Sequence, residues 1–162
     1  MTVRYYLDTE FNERPHTIEL ISIGIVCEDG RELYLKSSEI DWGAANSWVL
    51  ENVKPIVDGM PGMPRSEIRD RVLELVGNDT PEFWGYYADY DWVVFCWLFG
   101  AMVDLPKGWP MYCRDLKQLS SHTGIRPPPQ RAGHHDALQD ARWVAEAHRY
   151  ILNERRAMGF SE

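Results

Sequence analysis

The sequence predicts an α/β fold: a mixed sheet with three antiparallel N-terminal strands, flanked by helices. Two observations carry that expectation. Three runs rich in Tyr, Ile, Val and Leu, at residues 4–7, 17–27 and 32–36, follow one another at the start of the chain, separated by turn formers. Beyond them, apolar residues at helical spacing alternate with short strand-like runs and lead into one long final helix.

Each element has its own signal. Asn12-Glu13-Arg14-Pro15 and Glu28-Asp29-Gly30-Arg31 read as the two hairpin turns. Ser66 is expected to cap a helix whose apolar positions Ile68, Val72, Leu75 and Val76 recur every three to four residues, and Gly77 to end it. Residues 82–87 read as a short strand feeding a helix over 91–99, and residues 110–113 as a second short strand. Asp115 with Gln118 forms a capping box for the helix after it. Residues 124–133 hold Pro127, Pro128 and Pro129 and are expected to be an exposed loop. The final helix has an apolar stripe through Leu138, Ala141, Val144, Ala145, His148 and Leu152, with Arg142, Arg149, Arg155 and Arg156 elsewhere on its circumference. There is no internal repeat and no dividing linker, so one domain is expected over residues 1–162.

Composition narrows the function classes. With 162 residues, 44% apolar and 26% charged, the chain is a packed domain and not a disordered or low-complexity one. A domain of this length buries roughly 68–70% of the surface its unfolded chain exposes, enough to fold without a disulfide or structural metal. Cys27, Cys96 and Cys113 are odd in number and lack Cys-x-x-Cys spacing, which reads as buried thiols in a reducing compartment. The start of the chain reaches Arg4 and Asp8 without an apolar signal core, and the longest apolar stretch, residues 92–103, is far shorter than the ~20 residues a spanning helix needs. A cytoplasmic protein with no membrane partner is expected. The net charge of −8 argues against a long duplex footprint, because Lys and Arg supply most affinity for phosphates. Carboxylates that hold divalent cations would create local positive charge that a residue count omits, and a grip on one strand end is compatible with that.

Three segments carry candidate chemistry. Asp8 and Glu10 lie two apart at the end of the first strand, so both side chains share a face and can meet a hard cation. Such a pair alone is more often a solvated strand edge; its setting among Leu7 and Phe11 shifts the balance. In Trp84-Gly85-Tyr86-Tyr87-Ala88-Asp89-Tyr90-Asp91 a strand leads into a helix, and Asp89 or Asp91 is either a functional acid or an N-cap. In His134-His135-Asp136-Ala137-Leu138-Gln139-Asp140-Ala141 a histidine precedes a helix that carries an acid beside its apolar stripe. Asp there is disfavoured unless paired or bound to metal.

Taken together, Asp8-x-Glu10, Ala88-x-Tyr90-Asp91 and His135-x-Ala137-x-x-Asp140-Ala141 resemble the three exonuclease motifs of the DEDDh 3′-5′ exonucleases, whose fold is RNase H-like. The motifs come in the family's order and span nearly the whole chain. Asp8-Thr9-Glu10-Phe11, followed by His16-Thr17-Ile18-Glu19-Leu20-Ile21-Ser22-Ile23-Gly24, is particularly similar to the small 3′-5′ exoribonucleases described from mycobacteria. The sequence departs from the family at Phe11-Asn12-Glu13 and at Tyr86-Tyr87, positions that bear on substrate contacts and leave the acids intact.

The resemblance implies a two-metal phosphodiesterase that releases nucleoside 5′-monophosphates from a 3′ end. Asp8, Glu10 and Asp140 would hold one cation, Asp8 and Asp91 the second, and His135 would take the proton from the attacking water. Oxygen ligands select two Mg²⁺ per site, with Mn²⁺ as a substitute. Thr9, Phe11 and Ala88 would touch substrate, the partner would be the 3′ end of a nucleic acid, RNA by the resemblance to the exoribonucleases, and a homodimer is the assembly that relatives suggest. His134 falls outside the motif's register. Phe11 is equally readable as a stacking wedge or as a partly buried core residue. Arg126, Arg131 and Arg142 are candidates for phosphate contacts or for a solvated charged face. Two competitors remain: a DNA exonuclease of the same chemistry, and an RNase H-like module that binds nucleic acid or protein without cleaving it.

Overall fold

A computed structural model of the chain describes residues 2–160. Strands β1 (Thr2–Arg14), β2 (Thr17–Cys27) and β3 (Glu32–Ser37) form an antiparallel meander. Helices α1 (Ser47–Asn52) and α2 (Lys54–Val57) and strand β4 (Gly62–Met63) follow, then α3 (Arg65–Val76), β5 (Thr80–Gly85), α4 (Asp89–Trp97), β6 (Arg114–Asp115), α5 (Leu116–Thr123) and α6 (Ala137–Ala157). The sheet order is β4-β3-β2-β1-β5-β6, with β5 parallel to β1 and to β6 and β4 parallel to β3, so the expected mixed sheet is the observed one. No helix among the described residues is long and apolar enough to cross a membrane.

Strand alternation assigns the two faces. Tyr5 and Leu7 of β1 join Ile23, Ile25 and Phe83 in a core shared with Ile68 and Val72 of α3 and Phe95 of α4. Tyr6 points the other way and packs with Trp84, Leu116 of α5 and Ala141, Val144 and Ile151 of α6. Helices α3 and α4 therefore cover one face and α5 and α6 the other. Because side chains alternate, Asp8 and Glu10 share Tyr6's face under α6, while Thr9 and Phe11 share the α4 face.

One irregularity shapes this region. The β1–β2 register shifts between Glu10, opposite Ser22, and Phe11, opposite Leu20, leaving Ile21 as an extra residue in β2. Leu20 thereby joins the same core as Ile23 and Ile25, and Ile21 turns into a third cluster with Ile40, Val49, Val53 and Val57. That cluster anchors α1 and α2 beside the bulge.

Several boundaries differ from expectation. The first strand continues past Leu7 to Arg14, because residues 8–14 pair with 17–24 although most of them are polar; the turn itself is only Pro15-His16. Ser66 lies inside the first turn of α3, whose N-cap is Pro64 without a side-chain cap bond, while Gly77 ends the helix as expected at φ 56°. The second short strand is Arg114–Asp115 and not residues 110–113, where Met111 and Tyr112 are exposed and only 114–115 pair with β5. Helices α1 and α2 and strand β4 have no counterpart in the sequence reading. In α6 the stripe is confirmed through His148, and Ile151 takes the fully buried position expected for Leu152. Cys27 and Cys96 are buried; Cys113 is half-buried.

Candidate active site

Asp8 and Glu10 leave β1 on the face that α6 covers, and a glycine lets α6 come close. Gly24 sits opposite Asp8, and a Cβ there would lie 2.2 Å from the Ala137 carbonyl oxygen, so only glycine admits the start of α6 at this distance. Asp136 caps that start, its Oδ1 accepting from the backbone N–H groups of Leu138 and Gln139. Asp140, one turn further, then faces the two acids. Oxygens of Asp8, Glu10 and Asp140 lie within 4.8 Å of one another.

Asp140 is fixed by its neighbours. Gln130 Nε2 donates to its Oδ1 at 2.6 Å and the His135 backbone N–H donates to its Oδ2 at 3.1 Å. The second bond requires the chain to fold back at His135, whose φ of 65° is unfavourable for a side chain other than glycine. The His135 ring meets Trp48 of α1 edge to face, centroids 4.9 Å apart. His134 is exposed.

Asp91 arrives from the opposite face. It is buried, and its Oδ1 accepts from the backbone N–H of Thr9 at 2.8 Å and from the Thr9 hydroxyl. Neither Asp89 nor Asp91 caps α4, because the N-cap is Ala88 and no side chain bonds there. The N-cap alternative for Asp91 is therefore replaced by a tie between α4 and β1.

The acids repel one another in a poorly solvated place. Asp8 is held well above the ordinary carboxylate range by burial, then by Asp91, Glu10 and Asp140. Glu10 is pushed from 4.5 to about 8 by burial and by Asp140 and Asp91. Burial raises Asp91 to about 6 although the bonds from Thr9 oppose the rise, and burial raises Asp140 against the pull of Gln130 and His135. An all-oxygen set of this charge suits a hard divalent cation, which would relieve both burial and repulsion.

A stability consequence follows from the sign of these shifts. With their folded-state pKa values raised, these acids bind protons more tightly in the native protein than in the unfolded chain, so their contribution to metal-free stability is fully present below about 4.5 and is lost as pH rises through about 6 and 8. The chelated protein should melt at progressively lower temperature from pH 5 to pH 8. Asp91→Asn keeps an acceptor for Thr9 and removes one charge, so at pH 8 it should raise the metal-free melting temperature by about 2–4 °C for each kcal/mol relieved, while shrinking the upward shift given by Mn²⁺. Melts of both proteins with chelator and with Mn²⁺ decide it; an identical Mn²⁺ shift in the two would remove Asp91 from the site.

The remaining sequence candidates are placed as follows. The Thr9 hydroxyl is taken up by Asp91. Phe11 is half-buried against the main core and meets Tyr90 edge to face at 5.9 Å. Ala88 is buried, with its N–H donating to Asp115 Oδ2 at 2.8 Å. Arg142 is paired with Glu32 through bonds of 2.5 and 2.9 Å, whereas Arg126 and Arg131 are exposed. Two residues at the site were absent from the sequence reading, Trp48 and Gln130. Both lie in segments without periodicity, and nothing local marks a contact that spans 87 residues.

Comparison with known proteins accords with this geometry. Residues 3–152 match the model of the 3′-5′ exoribonuclease Rv2179c-like domain. The chain is 44% identical over 147 residues to 3′-5′ exoribonuclease Rv2179c of Mycobacterium tuberculosis H37Rv, covering 86% of this chain and 88% of that protein. The match to the exoribonuclease MT2234.1 of M. tuberculosis CDC 1551 has the same identity and coverage. Among solved structures, E. coli exonuclease I in a zinc-bound complex with single-stranded DNA aligns with a TM-score of 0.74 at 14% identity, over 98% of this chain and 42% of that one. Exonuclease I of Methylocaldum szegediense aligns at 0.67 and 18% identity, over 97% of this chain and 41% of that one. This chain thus spans about two fifths of the exonuclease I length, and at such identity the likeness concerns the fold, which is RNase H-like. The order of motifs, the sheet and the sequence match converge: the chain belongs to the Rv2179c-like 3′-5′ exoribonuclease family.

Proposed function

We propose that the chain is a single catalytic domain that hydrolyses RNA from its 3′ end, releasing nucleoside 5′-monophosphates, with Mg²⁺ or Mn²⁺ bound by Asp8, Glu10, Asp91 and Asp140. The observation that carries this reading is the cluster of Asp8, Glu10 and Asp140 oxygens within 4.8 Å, with raised carboxylate pKa values and His135 at its rim. When bound, a pair of divalent cations neutralises the scissile phosphate, lowers the pKa of a water and stabilises the leaving oxygen. Asp8, Glu10 and Asp140 would hold one cation, and Asp8 with Asp91 the other. Asp140 is kept aimed at the site by Gln130 and by the His135 N–H, and Asp91 by Thr9.

His135 takes the proton of the attacking water. Its left-handed backbone and its contact with Trp48 hold the imidazole at one place, which is what a general base requires. The choice of RNA rests on the exoribonuclease relatives. Free thiols at Cys27, Cys96 and Cys113 fit a reducing cytoplasm, and a homodimer is the assembly that the family resemblance implies. The experiment is a time course on 5′-labelled single-stranded RNA and matching DNA with Mg²⁺. A ladder shortening by one nucleotide from the 3′ end, faster on RNA, is expected. Internal fragments first would mean an endonuclease, faster loss of DNA would overturn the RNA preference, and no products would leave a binding module.

A further inference from the structure

Helix α5, the proline loop, α6 and the residue that follows β5 enclose a groove of about 640 Å³, lined by Tyr86, Lys117, Ser121, Arg126, Pro129 and Trp143. Its size falls within the roughly 300–1,000 Å³ of ligand pockets. The groove adjoins the acids through two elements: Trp143 lies just under one helical turn beyond Asp140 on α6, and Gln130, which bonds Asp140, follows Pro129 in the loop. At the β5 end, Tyr86 meets Trp143 and Tyr87 edge to face, centroids 4.9 and 4.8 Å apart. Tyr87 is 64% exposed and held at φ 54°, immediately before Ala88 of the second motif. A large aromatic held in a strained conformation and left open to solvent has not been placed for the core.

The charges point the same way. In this acidic chain most cations are held by carboxylates, as Arg31 is by Asp29 and Asp79, Arg114 by Glu82 and Arg142 by Glu32. Lys117 and Arg126 in the groove have no ion pair with a carboxylate among the described residues, and neither does Arg131 beyond its rim. Unpaired cations interleaved with aromatic rings match the alternation of phosphates and bases along a single strand.

We propose that this groove binds the nucleotides 5′ of the scissile one in single-stranded RNA, with phosphates against Lys117 and Arg126 and a base stacked on Tyr87, which stands outside the groove's lining against the ring of Tyr86. The proposal rests on the exoribonuclease reading of the acid site. It makes length, not only the 3′ terminus, part of substrate selection. A stacked base is worth enough to favour a longer strand by about ten- to a hundredfold in kcat/KM, mainly through KM.

The test measures kcat/KM on a dinucleotide and on an RNA of about twelve nucleotides, for wild type, Tyr87→Ala and the double variant Lys117→Glu/Arg126→Glu. The ratio of the two values within each protein is independent of how much of it is folded. Wild type should prefer the longer strand, and each variant should lose about tenfold or more of that preference. Fluorescence anisotropy with a labelled strand carrying a hydrolysis-resistant 3′ linkage should show about tenfold weaker binding and a shallower salt dependence in the double variant. Unchanged ratios with unchanged affinities would overturn the groove, as would a wild type indifferent to length. Wild-type protein that binds the strand in a manner sensitive to Lys117 and Arg126 but hydrolyses neither substrate would sink the exoribonuclease reading and keep the groove.

Discussion

Removal of divalent cations should abolish hydrolysis, with a loss of at least about a thousandfold. The magnitude follows from the charges involved. Stabilisation of a phosphoryl oxygen by a cation is worth several kcal/mol, and each 1.4 kcal/mol is a factor of ten in rate. Among the described residues no cationic side chain is hydrogen-bonded to Asp140 or Asp91: Asp140 takes an amide and a backbone N–H, and Asp91 takes the Thr9 hydroxyl and backbone N–H. Without metal, an ionised Asp8 or Glu10 repels a phosphate, and a protonated one supplies no positive charge to neutralise it. Activity measured in chelator, then in excess Mg²⁺ and in excess Mn²⁺, should vanish and return with either ion. Cleavage undiminished in chelator would end the metal-dependent mechanism.

His135→Ala should lower kcat by about 10² to 10⁴, the usual worth of a positioned general base, with the Mn²⁺-induced rise in melting temperature largely kept. The separation of the two effects is structural. His135 supports Asp140 through its backbone N–H, which alanine retains, and its ring, packed on Trp48, takes no part in that bond. His134→Ala should lose far less, because that ring is exposed and its backbone makes no such bond to Asp140. Single-turnover rates for the two variants, alongside melts with and without Mn²⁺, provide the check. A more severe loss in His134→Ala would shift the third motif by one residue.

How much of this was legible beforehand differs by element. The meander, α3, α4 and α6 were readable because their apolar residues repeat at the spacing of the structure that buries them, as at Ile68, Val72 and Val76. Residues 37–64 gave no such signal: α1 and α2 are six and four residues long, too short to establish a period. The extension of β1 to Arg14 was hidden for another reason. Glu13, Arg14 and their neighbours are strand by pairing with Thr17–Leu20 and not by propensity. At residues 110–113 an apolar run misled, because Met111 and Tyr112 lie on the surface.

By itself the sequence determined that Asp8 and Glu10 share one face, because side chains alternate along a strand wherever that strand lies; the register that singles out His135 came from the family resemblance of the third motif. Which face, and what covers it, only the tertiary structure decided. Gly24 admits α6 to within contact of the sheet and so brings Asp140 to Asp8. Thr9, on the other side of the same strand, takes Asp91 away from the helix cap. Trp48 meets His135 from α1, which Ile21 at the bulge holds beside the sheet by packing on Val49. These contacts join residues tens of positions apart, and their free energy comes from packing and from hydrogen bonds that exist only once the chain has folded.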